Sequence, residues 1–326
     1  MNNKFGDILR VEIYGSSHAP EVGVVIEGVP AGLLLDAALF EDDLSRRRAS
    51  LRGDTPRREN DVPTIEGLDQ DGRTTGEKVV IKFRNSDTRS GDYSVFERQP
   101  RPSHADLVQR RKYCPEYSIA GGGMASGRMT VALVAAGVVA KELLPAVSFD
   151  TRLVQVGAEC DATRFDDVIA EAARMGDSVG GVVECRARGV ECSLGEPFFD
   201  SVESVMAHAL FSIPGVKGVE FGDGFAGAAK RGSERNDAIV DASGRTATNN
   251  EGGINGGISN GNDIVVRVAI KPTPSISCEQ RSFDLELNDM APLRIGGRHD
   301  SCIARRAAVV VEAMVALALA DLKLRA

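Results

Sequence analysis

Apolar and polar residues follow each other along the chain with the spacing of regular secondary structure. Short apolar or alternating runs bounded by glycine, proline or charged residues predict strands. The predicted strands are 5–14, 21–28, 78–84, 152–157, 181–188, 217–225 with its turn, and one inside 249–275. Helical spacing predicts helices at 36–48, with Asp36 as its N-cap, and at 129–144, 163–175, 201–211 and 303–324. The first two strands, joined by a short loop, predict a hairpin.

Two long apolar runs, 129–140 and 307–320, stand out within this pattern. Each is shorter than the roughly 17 to 20 residues that a membrane span needs, and Glu312 interrupts the second. They therefore predict helices buried inside the fold, with no membrane partner. Each follows a segment with a histidine, a nearby aspartate and an arginine, which indicates an internal pseudo-repeat with the two helices side by side. No linker separates the halves, so residues 1–326 are predicted to form a single domain.

The composition of the chain excludes some classes of partner and site. The 326 residues carry a net charge of −8, no tryptophan and 5% aromatic residues, so nucleic acid is not expected as a partner. Six scattered cysteines without a Cys-x-x-Cys pair indicate reduced thiols and no zinc site. With no apolar signal region at the N-terminus, we expect a cytoplasmic protein.

Arginine is concentrated at the end of the first predicted helix. Six arginines lie within 13 residues: Arg46, Arg47, Arg48, Arg52, Arg57 and Arg58. In an acidic chain, this cluster favours the binding of an anionic small molecule, because guanidinium groups suit phosphate and carboxylate. The alternative is that the first three complement the helix dipole, which leaves the other three unexplained.

Two glycine-rich segments are candidates for binding an anion or a flat polar cofactor. Gly121–Gly123 lead into an apolar helix whose N-terminal N–H groups and dipole favour anions, with Ser126 and Arg128 beside them. The second segment, 249–275, has a glycine-rich loop, a strand and a polar turn that carries Lys271. The alternatives are a flexible turn and an ordinary surface loop. Neither segment has the spacing of a nucleotide fingerprint.

Three of the four histidines have surroundings that can be interpreted from sequence. His18 follows the first predicted strand, and His104 lies two residues before Asp106, which could orient its imidazole. Each is a weak signal alone, because a loop histidine is more often solvated than catalytic. His208 lies on a predicted helix and is interpreted as a packing or surface residue.

Taken together, seven segments in order along nearly the whole chain resemble the chorismate synthase family. These are 15–19, 46–58, 101–106, 121–130, 212–225, 249–275 and 297–302. The resemblance implies an α+β fold with a helical core layer between antiparallel sheets, and a homotetramer. It implies conversion of 5-enolpyruvylshikimate 3-phosphate to chorismate by 1,4-elimination of phosphate, with reduced FMN and no net redox change.

The resemblance also implies site residues. His18 would help to protonate the departing phosphate, His104 would protonate the reduced flavin, and Asp300 would assist proton removal, with Ser17 and Ser126 as relays. The residues implied for the substrate's phosphate and carboxylates are Arg47, Arg48, Arg52, Arg101, Arg128 and Arg298. Those implied for FMN are Met124, Ala125, Ser126, Pro214, Gly215, Gly256, Lys271, Pro272, Thr273, Pro274, Ser275 and Arg298.

The chain departs from the family's usual motifs at a few positions. Ser16 and Ala19 replace a glutamate and a glycine around His18. In the glycine-rich motif the departures are Ala120, Met124, Ala125, Gly127 and Met129. Because an arginine and a serine are thereby lost beside the predicted flavin site, weaker FMN binding is expected.

Two other functions remain open from the sequence. One is a flavin oxidoreductase that turns over NADPH, and the other is a non-catalytic descendant that binds FMN or an anion. The intact set of His18, His104 and Asp300 favours the lyase over the second. The missing nucleotide fingerprint argues against a dedicated NADPH site, although NADPH as an external source of reductant stays open.

Overall fold

The computed structural model describes residues 3–51, 53–87, 95–113, 120–296 and 299–326. Within them, short strands and helices alternate along the chain. The strands are β1 Lys4–Phe5, β2 Arg10–Gly15, β3 Glu21–Glu27, β4 Thr64–Glu66, β5 Val79–Arg84, β6 Ser148–Val156, β7 Gly181–Arg188, β8 Val216–Phe221, β9 Ile254–Asn255, β10 Ile258–Ser259, β11 Ile264–Ile270, β12 Gln280–Asp284 and β13 Asp289–Leu293. The α-helices are α1 Glu41–Arg47, α2 Val95–Arg98, α3 Asp106–Tyr113, α4 Thr130–Glu142, α5 Phe165–Arg174, α6 Val202–Phe211, α7 Gly224–Gly227, α8 Gly232–Arg235 and α9 Ile303–Arg325.

Two antiparallel sheets enclose a layer of helices. The first sheet has the order β1-β2-β3-β5-β4, and the second has the order β6-β7-β11-β8. Helix α4 packs on β3 and β5, whereas α9 packs on β6 and β7, and the two helices contact each other along their length. This arrangement buries both apolar runs in one core and confirms the predicted α+β fold with its central helical layer.

The contact between α4 and α9 is unusually close at one point. A Cβ atom added to Gly137 of α4 would lie 2.3 Å from the Cβ of Ala313 on α9, so only glycine fits there. The prediction that the two apolar helices lie side by side is therefore confirmed. No helix in the part of the chain that the structure describes is long and apolar enough to cross a membrane.

Glu312, which interrupts the apolar run of α9, is a buried ion-pair partner. Its side chain is only 4% exposed and accepts hydrogen bonds from Arg46 of α1 at 2.8 Å and from Lys141 of α4 at 2.5 Å. Burial alone would raise the pKa of Glu312, but these two cations outweigh it and lower the pKa to about 2. The glutamate thus stays ionised in the core and ties three helices together.

The first predicted strand, 5–14, is wrong as a single element, because a turn divides it into β1 and β2. The cause lies at the other end of the chain. Asp321, near the end of α9, is fully buried and accepts backbone N–H groups from Asp7, Ile8 and Leu9 at 2.9 to 3.1 Å. An N–H group bonded to this carboxylate is not available for a strand ladder, so the chain turns at this point.

Candidate active site

A cavity of about 570 Å³ lies where the loops of the first sheet meet the N-terminal ends of α4 and α9. It is lined by segments from the whole length of the chain, and most of the predicted site residues are among them. The predicted residues that line it are Ser17, Arg47, Arg48, Arg101, His104, Ala125, Ser126, Arg128, Pro214, Gly215, Lys271, Thr273, Pro274, Ser275 and Asp300.

The charge of this cavity is opposite to that of the whole chain. Eight arginine or lysine side chains line it, against the three lining carboxylates of Glu59, Asp61 and Asp300 and two others, Glu41 and Asp106, that pair with lining arginines. In a protein of net charge −8, such an excess of positive charge is a local feature that attracts anions. The electrostatics of the cavity therefore favour a ligand with more than one negative charge.

Arg101, His104 and Asp106 form one compact unit at the cavity wall. The carboxylate of Asp106 lies 2.8 Å from Nδ1 of His104 and accepts hydrogen bonds from Nε and Nη2 of Arg101. Burial alone would raise the pKa of Asp106, but the hydrogen bonds from Arg101 and His104 lower it well below its usual range. The ionised aspartate selects the His104 tautomer with the proton on Nδ1, which leaves Nε2 to exchange a proton with a ligand.

The polar turn after β11 is attached to this unit. Nη1 of Arg101 donates to the hydroxyl of Ser275 at 3.0 Å, and the ammonium group of Lys271 donates to the carbonyl of Ser103 at 2.7 Å. Burial, and then the charge of Lys217, lowers the pKa of Lys271. Two segments that sequence analysis treated separately, 101–106 and 271–275, therefore form one wall.

The glycine turn brings the two predicted catalytic histidines together. Gly121 and Gly122 have positive φ angles of 63° and 87°. A Cβ atom on Gly121 would lie 2.6 Å from Nε2 of His18, and one on Gly122 would lie 3.4 Å from Cε1 of His104. The backbone N–H of Ser17 also donates to the carbonyl of Gly123 at 3.2 Å. The glycines thus form a side-chain-free surface between His18 and His104.

Several arginines of the cluster are already paired with carboxylates. Arg48 makes a bidentate pair with Glu41, and Arg57 pairs with Glu59 while donating to the hydroxyl of Ser17 at 3.0 Å. Arg46 is absent from the cavity lining, since it pairs with Glu312 in the helical layer. Arg46 therefore belongs to a structural ion pair, whereas Arg48 and Arg57 line the cavity.

Arg47 and Arg128 share one carboxylate, that of Asp61. Nη2 of Arg47 donates to Oδ2 at 2.6 Å, and Nη1 of Arg128 donates to Oδ1. The side chains of all three residues are at most 5% exposed. Burial alone would raise the pKa of Asp61, but the two arginine charges outweigh it and lower the pKa. The pair of guanidinium groups is held rigidly at the cavity edge.

Asp300 is held by groups from two other segments. It accepts the backbone N–H of Thr55 at 2.9 Å and pairs with Nη1 of Arg306 at 2.9 Å. Arg306 also donates from Nε to the carbonyl of Arg47 at 2.8 Å. Arg306 therefore connects the aspartate to the arginine pair described above.

Comparison with known proteins decides the family. Residues 9–324 match the family described as chorismate synthase. This chain belongs to the chorismate synthase family. A chorismate synthase from Chitinophaga pinensis is 50% identical over 323 residues, covering 99% of this chain and 96% of the relative. One from Archaeoglobus fulgidus is 44% identical over 350 residues, covering 98% and 96%. A solved structure titled as a crystal structure of chorismate synthase superposes with a TM-score of 0.74 and 27% identity, covering 98% and 93%.

Six of the residues that the chorismate synthase resemblance implied are not seen at the cavity. Arg52 and Arg298 lie outside the described residues. His18, Met124, Gly256 and Pro272 are described but are not part of the cavity lining. His18 lies against Gly121, and Met124 and Pro272 are sequence neighbours of lining residues, whereas Gly256 lies in the turn between β9 and β10. For these six, as for the residues that line the cavity, the assigned role in the site stays a prediction.

Three polar atoms at the cavity have no hydrogen-bond partner within the described part of the chain. They are Nε of Arg47, Nε of Arg48 and the hydroxyl of Thr273, all of which are buried. A buried polar group without a partner costs about 1–3 kcal/mol, so these three atoms at the cavity are available for hydrogen bonds with a ligand or with water. All three belong to residues that the sequence had predicted at the site.

Sequence reasoning missed several residues of the cavity. Asp61, Arg306 and His299 all line it. Burial lowers the pKa of His299; the hydrogen bond with the Gly296 carbonyl opposes this effect, and the nearby Arg101 charge adds to it. Residues 57–61 contain acidic residues next to arginines. This pattern could have indicated that carboxylates pair with the arginines of the cluster. A doubled arginine at the start of an apolar helix, 305–306, was the signal for Arg306.

Proposed function

We propose that this protein is a chorismate synthase that converts 5-enolpyruvylshikimate 3-phosphate to chorismate and inorganic phosphate. It is a carbon–oxygen lyase of aromatic biosynthesis. In the 1,4-elimination, the C–O bond to phosphate and one C–H bond break while a new double bond forms. The observation that carries the proposal is a cavity lined by eight cationic side chains, which outnumber the carboxylates that line it or pair with them, together with His104.

The cationic side chains can bind the anionic groups of the substrate and can also stabilise the phosphate as it leaves. The substrate carries a phosphate and two carboxylates, which match planar guanidinium donors. Arg47, Arg48, Arg101 and Arg128 would bind these groups, together with the predicted Arg52 and Arg298. Fixed positive charge also stabilises phosphate as it departs, because the charge on its bridging oxygen grows as the C–O bond breaks.

The proton transfers are assigned to the two histidines and one aspartate. The Asp106 carboxylate, 2.8 Å from Nδ1 of His104, leaves Nε2 as the atom that holds and releases a proton. His18, across Gly121, would supply a proton to the departing phosphate with Ser17 as its relay. Asp300, fixed by Arg306, would assist removal of the substrate proton.

We propose reduced FMN as the cofactor, which the size and lining of the cavity support. Its volume of about 570 Å³ lies within the roughly 300–1,000 Å³ of typical ligand pockets, and the orphaned Thr273 hydroxyl needs a partner. Ala125, Ser126, Pro214, Gly215 and residues 271–275 would hold the flavin. When bound, it would supply the electronic part of the elimination. We further propose a cytoplasmic homotetramer that uses FMN reduced by an external donor, with NADPH as one source.

An anaerobic assay tests the proposed reaction. The purified protein is mixed with 5-enolpyruvylshikimate 3-phosphate and chemically reduced FMN, and chorismate and phosphate are measured separately. We expect equal amounts of both, and none with oxidised FMN in the absence of a reductant. Phosphate release without chorismate would contradict the proposal and would indicate hydrolysis of the phosphate ester instead.

Met124→Arg is expected to tighten FMN binding. Met124 stands where the family usually has an arginine, next to Ala125 of the cavity lining. A charge-assisted hydrogen bond contributes about 1.5–3 kcal/mol, which corresponds to roughly 10- to 150-fold in the dissociation constant. Flavin fluorescence titration measures the change, with Met175→Arg on the exposed end of α5 as control. Equal binding by both variants would mean that position 124 does not face the flavin.

Gly121→Ala is expected to lower kcat about 10- to 100-fold, because the new methyl group would displace the His18 ring by about 1 Å. Gly157→Ala is the matched control, since Gly157 has a similar positive φ of 58° but a Cβ there meets nothing within 4 Å. The effect should vanish in a His18→Ala background, because the displaced group is then missing. A persistent loss in that background would show that Gly121 does not act through His18.

A further inference from the structure

Asp61 occupies a position in the site that the proposed proton transfers and ligand contacts do not use. Its carboxylate is 1% exposed and gives one oxygen to Arg47 and the other to Arg128. Its backbone has a positive φ of 51°, a conformation that is uncommon outside glycine and in which aspartate and asparagine are over-represented. This charged residue is held in an uncommon backbone conformation between two arginines. Its role therefore follows from what its contacts do for those arginines.

The other contacts of the two arginines show what Asp61 fixes. Nε of Arg128 donates to the side-chain oxygen of Asn85 at 2.7 Å, and its Nη2 donates to the carbonyl of Arg84 at 3.3 Å. Arg47 has only a long contact of 3.4 Å to the Thr130 hydroxyl besides Asp61, and its Nε has no partner in the described chain. The strong ion pair with Asp61 is therefore what sets the orientation of the Arg47 guanidinium plane.

The charge of Asp61 also stabilises the charged form of the buried Arg47 guanidinium. Burial lowers the pKa of Arg47 to about 10, and the charges of Arg306 and Arg128 act in the same direction. The charge of Asp61 opposes all three. Without this carboxylate, the charged form of the buried guanidinium would be less stable, and the group would be free to rotate.

We propose that Asp61 is a positioning residue, which orients Arg47 and Arg128 so that their remaining donors bind an anionic group of the substrate. This inference rests on the proposed function for the identity of the substrate. Because the Asp61 carboxylate is 1% exposed and held by both arginines, its proposed role is exerted through them. Its role is to hold two guanidinium groups in the bound geometry before the anion arrives.

Simple charge balance makes the opposite prediction. If Asp61 only neutralised the arginines, its removal would make the cavity more positive and would tighten anion binding. If Asp61 orients the arginines, its removal weakens binding although the cavity becomes more positive. The sign of the change in affinity therefore separates the two roles.

Asp61→Asn is the first test, because asparagine has the same shape and also tolerates a positive φ. We expect the KM for the substrate to rise about 10- to 100-fold with kcat changed less than about threefold, since binding common to substrate and transition state is lost. Glu41→Gln is the matched control. It removes one carboxylate from Arg48 of the same cavity, but from an exposed pair, so KM should change less than about twofold.

A second variant keeps the test decisive if Asp61→Asn does not fold. Asp61→Glu retains the charge but moves the carboxylate by one methylene, so the positioning role still predicts a raised KM. An unchanged or lowered KM in either folded variant would overturn the proposal. A lower kcat at constant KM, with a lower melting temperature, would also overturn it in favour of a purely structural role.

Calorimetric titration with inorganic phosphate separates this inference from the proposed function. We expect the parent to bind phosphate at low salt, Asp61→Asn to bind it at least about tenfold more weakly, and Glu41→Gln to match the parent. This result would support the positioning role even if the parent formed no chorismate. A parent that forms chorismate, with equal phosphate affinity and equal KM in Asp61→Asn, would overturn the positioning role alone.

Discussion

Replacing His104 by alanine is expected to lower kcat about 10²- to 10⁴-fold, the range for the loss of a general acid or base. The physical reason is the pairing of Nδ1 with Asp106 at 2.8 Å, which leaves Nε2 as the ring nitrogen that would exchange a proton with a ligand. The side chain is 18% exposed and contributes little to the core, so the fold should persist. The measurement is anaerobic turnover at saturating substrate and reduced FMN.

His208→Ala is the control for this prediction. His208 lies on α6, where its ring meets that of Phe5 edge-on at a centroid distance of 5.4 Å, and it is absent from the cavity lining. We expect its kcat within about threefold of the parent, whereas His18→Ala should resemble His104→Ala. If His104→Ala also stays within about threefold, His104 takes no part in proton transfer.

Asp321→Ala is expected to destabilise the fold by about 3–5 kcal/mol, the range for breaking a buried charged pair. The fully buried carboxylate accepts three backbone N–H groups from residues 7–9 and pairs with Arg325 at 2.5 Å. Its loss leaves those donors without partners and the N-terminal turn unanchored. The free energy of unfolding, measured in urea, reports the change.

Asp200→Ala is the matched control for Asp321→Ala. Asp200 pairs with the same Arg325 at 2.9 Å, but its side chain is 62% exposed, so its loss should cost less than about 1 kcal/mol. Equal costs for the two variants, or a cost below 1 kcal/mol for Asp321→Ala, would show that the N-terminal turn does not depend on this carboxylate.

Much of the fold could be predicted from sequence because hydrophobic periodicity is a local signal. Strand 181–188 was predicted with its observed bounds, and helix 303–324 ends within one residue of α9. The N-terminal strand was wrong because the residue that interrupts it, Asp321, is more than three hundred positions away. A local pattern contains no information about such a partner.

The predictions for the site also succeeded for a contact that is local in sequence and failed for contacts that are distant. His104 and Asp106 are two positions apart, and their interaction was anticipated, whereas the pair between Arg101 and Asp106 was not. The arginine cluster could not be sorted, because Arg46 and Arg47 are neighbours in sequence but point about 100° apart around a helix. One pairs with Glu312 in the core, and the other reaches Asp61 at the cavity.

The most direct test of a lyase without net redox change is the amount of phosphate released per flavin. In an anaerobic reaction, reduced FMN is supplied in amounts far below the substrate, and phosphate and the flavin absorption spectrum are followed together. We predict that each flavin supports many turnovers and that the flavin is still reduced when the substrate is exhausted. Release of one phosphate for each flavin oxidised would contradict this account.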